Sequence, residues 1–170
     1  VLHKTLAAAL QVLDADRGSV FLYDADTDEL YTRVATRLPK TVSPEKPGDG
    51  LRFPDCSSPA DAIRFAADKG IAGETVRKRR LIHVPDCYAD PRFNRDVDRQ
   101  TGYVTRCLLS VPLLGLDDAL VGVLQVLNKR TGAFDRDDEQ LATILAAHCA
   151  FVLQKAMLLD EYVLKRRPSH

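Results

Sequence analysis

Leu2, Leu6, Leu10 and Leu13 recur at helical spacing, and Ala7 to Ala9 between them raise the helix propensity. That stripe predicts an opening helix that ends across Asp14 to Gly18. The period then shortens. Ser19 to Tyr23 and Glu29 to Thr36 read as strands, and the polar turn Asp24 to Asp28 makes them a hairpin. Pro39, Pro44, Pro47, Pro54 and Pro59, with Gly48 and Gly50, mark residues 38–59 as a long loop, with a short strand expected near Leu51 to Phe53. Arg64 to Ala66 predicts another short strand, Gly73 to Arg80 a short helix, and Leu81 to Val84 a further strand. A helix is expected from Asp90-Pro91 to about Gln100, stopped by Gly102.

Thr105 to Leu114 and Ala119 to Asn128 form a second predicted hairpin around Gly115 to Asp118. Alternation along its second strand puts Val121, Val123, Gln125 and Leu127 on one face, so Gln125 is the polar member of an apolar set. A long helix starts at Phe134-Asp135, with Asp135 as N-cap and Asp138 and Glu139 in the first turn. Leu141, Ile144, Leu145, His148, Phe151, Val152, Leu158 and Leu159 mark its apolar stripe, which suits packing on the sheet, pairing with a second copy, or both. Hairpins with helices at both ends argue for an α+β fold. One domain over residues 1–160 is expected, with 161–170 opening a linker helix or tail.

Composition narrows the function classes. The 170 residues are 45% hydrophobic and 28% charged, the balance of a soluble globular domain. Basic and acidic side chains number 24 each, so no broad positive field exists to hold a nucleic acid or an anionic membrane. The run Arg77 to Arg80 is local and suits a helix C-terminus. Cys56, Cys87, Cys107 and Cys149 form no C-x-x-C pair, which argues against zinc, and their spacing fits reduced thiols in a cytoplasmic protein. No apolar stretch approaches the roughly 20 residues of a membrane helix. Val1 opens inside a helix without an initiator methionine, so the chain is expected to be a piece of a longer protein.

Three stretches carry candidate chemistry. Gly70 and Gly73 bracket Ile71-Ala72 at a helix start, where backbone can approach a ligand and unpaired N–H groups favour an anion; a plain helix-entry turn has the same spacing. Asp98 and Thr101 share a helix face, with Thr105 opening the next strand; a carboxylate and hydroxyls together suit a ribose or a polar heterocycle, as well as simple capping. Asn128-Lys129, Phe134 and Asp138-Glu139 could lock a strand end to a helix start, with Lys129 paired to Asp138. No Walker loop or Gly-x-Ser-x-Gly occurs, and Ser19 and Ser110 have no histidine partner in view, so no catalytic set, metal or resident cofactor is expected.

Asn128, Lys129, Phe134, Asp138 and Glu139 at this spacing resemble the signature of the GAF domains of cyclic-nucleotide phosphodiesterases and bacterial adenylate cyclases. So does the run from Arg64 through Lys129. The resemblance implies a six-stranded antiparallel sheet with helices on both faces. It also implies a cyclic phosphate at the amides of Ile71 and Ala72, and pocket positions at Ser19, Phe65, Asn94, Asp98, Thr101, Thr105 and Gln125. The signature residues would support that pocket without touching ligand. The phosphodiesterase pattern has Phe-Asp where this chain has Ala35-Thr36, which removes a stacking ring and a carboxylate. Gln125 resembles the bacterial cyclase type and slightly favours cAMP over cGMP. Bilin-binding relatives carry their pigment on a cysteine followed by histidine, whereas Cys87 precedes Tyr88 and Cys107 precedes Leu108. The expectation is a regulatory, non-catalytic domain of a bacterial signalling protein, a homodimer through its N- and C-terminal helices, with no nucleic-acid or membrane partner. The alternatives are a dimerising scaffold without ligand and a sensor of another small effector.

Overall fold

In the computed structural model, which describes residues 2–37 and 63–166, the elements follow the order α1 (Leu2–Leu13), β1 (Ala15–Asp24), β2 (Glu29–Arg37), β3 (Arg64–Ala66), α2 (Gly70–Lys78), β4 (Ile82–Val84), α3 (Asp96–Thr101), β5 (Leu108–Leu114), β6 (Leu120–Lys129) and α4 (Arg136–Lys165). The six strands form one sheet in the order β3-β2-β1-β6-β5-β4, and every neighbouring pair is antiparallel. The α+β architecture expected from the hairpins is therefore observed. The proline-rich loop, its expected strand near Leu51 and Cys56 lie outside the described residues.

Strand alternation divides the sheet into two faces. Val20, Leu22, Leu109, Val111, Leu113, Leu124 and Val126 point one way and pack with Leu6, Leu10 and Leu13 of α1 and Leu145, Cys149 and Leu153 of α4. The other face carries two smaller apolar clusters. One joins Ile71 to Ile82, Val84, Cys87 and Leu108; the other joins Ala72 to Leu30, Ala67 and Val123. Because β3 and β4 are opposite edges of the sheet, the chain between them must cross a face, and α2 does so over β6 and β5.

β1 begins at Ala15 instead of Ser19, and three further boundaries and one face assignment depart from the expected ones. α2 begins at Gly70 instead of Gly73, so the two glycines lie inside its first turn. α3 begins at Asp96, well after Asp90-Pro91. The Asp90 carboxylate takes the N–H of Arg92 at 2.9 Å and the Asn94 amide oxygen takes that of Asp96 at 3.0 Å, which favours turns over helix. β5 begins at Leu108 instead of Thr105, because the Asn128 side chain accepts the N–H groups of Arg106 and Cys107 in place of a ladder. Val121 joins the α1–α4 cluster instead of the Gln125 face, because the register shifts between Leu113 and Leu114 and leaves it as the extra residue of a bulge. Pro112 lies in β5 beyond Ser110, the last residue paired with β4, so its missing N–H costs no bond on that side.

By length and composition α4 could cross a membrane, contrary to the expectation that no apolar stretch approaches that size. Its Ala142, Leu145, Ala146, Cys149, Ala150 and Leu153 are buried against the sheet, however, as an amphipathic core helix requires. The predicted stripe splits between two surfaces. Leu145 is buried, whereas Ile144, Phe151, Leu158 and Leu159 are 67%, 64%, 55% and 55% exposed, and His148 is exposed beside them.

Candidate functional site

The first turn of α2 is one boundary of the site. Lys69 holds the N-cap position and offers no side-chain cap; Gly73 is the first residue to bond back, to the Lys69 carbonyl at 2.9 Å. The amides of Gly70, Ile71 and Ala72 thus have no intrahelical acceptor. The side chains of Ile71 and Ala72 are buried, which fixes the turn against the sheet. Gly70 enters the helix at φ +66°, in the left-handed region, and a Cβ there would meet Asn94 at 3.4 Å. A Cβ at Gly73 would lie 2.3 Å from the carbonyl carbon of Asp68, so only glycine lets the chain double back so closely.

A polar row crosses the sheet beneath α2. Ser19 of β1, Gln125 of β6 and Ser110 of β5 are direct register partners. Gln125 Nε2 donates to Ser110 Oγ at 3.3 Å, Ser110 Oγ lies 2.7 Å from Thr75 Oγ1, and Thr75 Oγ1 donates to the Ile71 carbonyl at 2.7 Å. Thr75 and Ser110 are fully buried. Beside the row, Phe65 on the edge strand meets Phe21 edge to face, ring centroids 5.3 Å apart.

The third group surrounds α3. Asp98 is buried, and its carboxylate accepts the Thr105 N–H at 2.8 Å, the Thr105 hydroxyl at 2.8 Å and the Tyr88 hydroxyl at 2.8 Å. The hydrogen bond that the Tyr88 hydroxyl donates to the Asp98 carboxylate holds its proton and pushes the phenol up from its ordinary 10.0, with desolvation and the nearby negative charge adding to the effect. The structure thus joins Asp98 to Thr105 directly. The Thr101 side chain lies outside the described residues.

The strand-to-helix signature fixes the segment that carries Thr105. Asn128, at φ +59°, accepts from the N–H groups of Arg106 (2.6 Å) and Cys107 (3.2 Å) and donates to the Val104 carbonyl (2.8 Å) and the Tyr103 hydroxyl (2.9 Å). Lys129 reaches Asp138 at 3.0 Å and the Leu13 carbonyl at 2.7 Å, with both charged side chains largely buried. Asp138 and Asp135 cap each other's backbone reciprocally at the start of α4. Phe134 is buried against the His83 ring, and Glu139 reaches His83 Nδ1 at 3.2 Å, which ties β4 to α4. Burial pushes the Cys87 thiol up to about 12 and that of Cys149 up to about 11, so neither is a ready thiolate.

Sequence reasoning missed Thr75, Ser110, Tyr88 and Phe21. A signal existed for Ser110, a hydroxyl in the otherwise apolar run from Leu108 to Leu114, and for Thr75, four residues after Ile71 on the same helix face. No comparable signal marked Tyr88, whose partner depends on how the α3 loop folds back.

Residues 1–153 match the GAF domain family. The chain belongs to that family. A probable 3',5'-cyclic phosphodiesterase, pde-5, of Caenorhabditis elegans is 35% identical over 161 residues, covering 95% of this chain and 21% of that protein. The dual 3',5'-cyclic-AMP and -GMP phosphodiesterase 11 of Drosophila melanogaster is 32% identical over 167 residues, covering 96% of this chain and 11% of that protein. This GAF domain thus spans about a fifth or less of those relatives. Among solved structures, the GAF domain of a phosphoenolpyruvate-protein phosphotransferase from Coxiella burnetii aligns with a TM-score of 0.68 at 19% identity, covering 88% of this chain and 77% of that one. That likeness shows the fold alone.

Proposed function

We propose that this GAF domain is a regulatory sensor of a cyclic nucleotide, with the ring phosphate held by the amides of Ile71 and Ala72. One observation carries the reading: an uncapped helix start with buried side chains, directly beside a polar row on an otherwise apolar sheet. Ser19, Phe65, Asn94 and Gln125 border that region, and Asp98, Thr101 and Thr105 extend it along α3. Kinship with cyclic phosphodiesterases supports the ligand class. Those relatives are animal proteins, so the bacterial setting expected from the sequence rests on Gln125 alone. Ligand closure would be read out by α1 and α4. A second copy would pair along the exposed Ile144, Phe151 and Leu158, which recur every seven residues.

Titration calorimetry with cAMP and cGMP is the test. Heat and saturable binding are expected, and Asp98→Ala or Thr105→Ala should weaken affinity by about 1–3 kcal/mol through the partner left unpaired. Absence of binding by either nucleotide overturns the proposal. That result would favour the second reading, a dimerising scaffold without ligand. The observation on its side is that the Asp98 carboxylate already accepts three internal hydrogen bonds.

A further inference from the structure

The turn between β5 and β6 is held from both sides of the sheet. Arg79, the C-cap of α2 on one face, donates from its guanidinium to the Asp118 carbonyl. Gln154 of α4, on the other face, accepts the Leu116 N–H at 2.8 Å. A Cβ at Gly115 would lie 2.4 Å from Gln154 Oε1, so any larger residue would push that side chain off the turn. The turn is also strained. Asp117 and Asp118 stand at φ +56° and +54°, and Arg79, which reaches them, at +53°. Left-handed backbone is unfavourable for a residue with a Cβ, and two in succession persist only where their surroundings hold them. Gln154 marks the place where α4 leaves the body of the domain. Leu153 is the last buried residue of that helix, and Leu158, Leu159, Tyr162, Val163 and Leu164 beyond it are each more than half exposed.

We propose that this turn is a strap that couples α2 to the outgoing half of α4, so that a displacement of α2 alters how firmly α4 is gripped where it departs. The two helices pack on opposite faces of the sheet, and the turn bonds to both. α2 suits the part as a short rod. The Thr75 hydroxyl bonds the Ile71 carbonyl at 2.7 Å and the Arg79 N–H bonds the Thr75 carbonyl at 2.9 Å, so its first turn and its strap end move together. The strap has two states. With Arg79 engaged, Asp118 stays left-handed and Leu116 presents its N–H to Gln154. With Arg79 withdrawn, the backbone relaxes toward the right-handed region, the Leu116 N–H turns away and Gln154 lets go. Asp117 and Asp118 supply the bias, since glycine in their place would hold the same shape without help from Arg79. Leu116 also walls an apolar groove with Phe151, Leu158 and Tyr162, so the same event reshapes the exposed face of α4. The use of the strap in signalling rests on the sensor reading above; the mechanical link does not.

Amide hydrogen exchange on the domain without ligand tests the link, so failure of the nucleotide reading does not touch the result. Arg79→Met removes the guanidinium on the α2 side and keeps the aliphatic stem. It should speed exchange of the Leu116 N–H about tenfold, as the loss of one hydrogen bond allows, and raise exchange across residues 154–158 of α4. Gln154→Ala acts from the other face. It should speed exchange of the Arg79 N–H, which closes the last turn of α2, because a coupling between two sites is reciprocal. Asp118→Gly removes the strain, so adding Arg79→Met to it should leave Leu116 unchanged. Arg79 is exposed, and thermal unfolding of Arg79→Met should coincide with that of the wild type. Effects of Arg79→Met confined to α2, and of Gln154→Ala confined to α4, overturn the inference. An equal response of Leu116 to Arg79→Met with and without Asp118→Gly overturns the two-state account of the turn.

Discussion

Replacing Asn128 with alanine tests whether one amide holds the segment that carries Thr105. The side chain makes four hydrogen bonds, two accepted from Arg106 and Cys107 and two donated to Tyr103 and Val104. Each contributes about 1 kcal/mol net, less at the exposed Arg106 end where water can substitute. Asn128 also sits at φ +59°, where alanine adds about 1–2 kcal/mol of backbone strain and asparagine less. The expected destabilisation is therefore about 3–5 kcal/mol, a large part of the roughly 5–15 kcal/mol available to a domain of this size. Asn128→Gly removes the same bonds without the strain and should recover about 1 kcal/mol. The chain contains no tryptophan, so urea unfolding followed by far-ultraviolet circular dichroism is the natural assay. Hydrogen exchange should rise across residues 103–107 in both variants. A loss below about 1 kcal/mol in Asn128→Ala, with unchanged exchange there, would refute the assignment of this side chain as the clamp.

Gly73→Ala should lower stability by about 1–3 kcal/mol, because the added methyl must push α2 away from Asp68; an unaltered melting temperature would contradict the close approach. Lys129→Met leaves buried Asp138 without its cation and should cost about 3 kcal/mol in urea unfolding, whereas an effect like that of an exposed pair would show that Asp138 is satisfied by its cap alone. Arg77 and Lys78 hold the Glu74 carboxyl down at about 2, against an ordinary 4.5. A depressed folded-state value means that this contribution is present above pH 4.5 and fades as pH falls toward 2, so Glu74→Gln should flatten that part of the acid stability profile; an identical profile would sink the claim.

The hairpins and terminal helices were legible because their periods are clean. Leu6, Leu10 and Leu13 recur at helical spacing and are all fully buried. Asp135 and Asp138 spelled out an N-cap that the structure forms reciprocally. Lys129 and Asp138 were paired on spacing alone and meet at 3.0 Å. The region around the site was harder to read, since its backbone is set by side chains. Asp90, Asn94 and Asn128 each capture amides that periodicity assigned to a helix or a strand. The polar row through Ser110 and Thr75 depends on the register between β5 and β6 and on where α2 crosses the sheet, and local spacing encodes neither. The apolar stripe of α4 suits sheet packing, pairing or both, but its spacing does not say which residue serves which face; Leu145 and its neighbours belong to the core while Ile144 and Phe151 face outward. Neighbouring positions on a helix differ by about 100°, so a broad stripe hides two faces.

Pro112 also bears on how the chain avoids its own misassembly. The stretch from Leu108 to Leu114 is an apolar segment of strand, and beyond Ser110 its outer margin has no partner from β4. Such a margin is a template for adding a foreign strand, above all while the domain is still half-formed. A residue that cannot donate interrupts the template there, so the same imino acid that is tolerated in the finished sheet guards against fibrillar growth before it is complete.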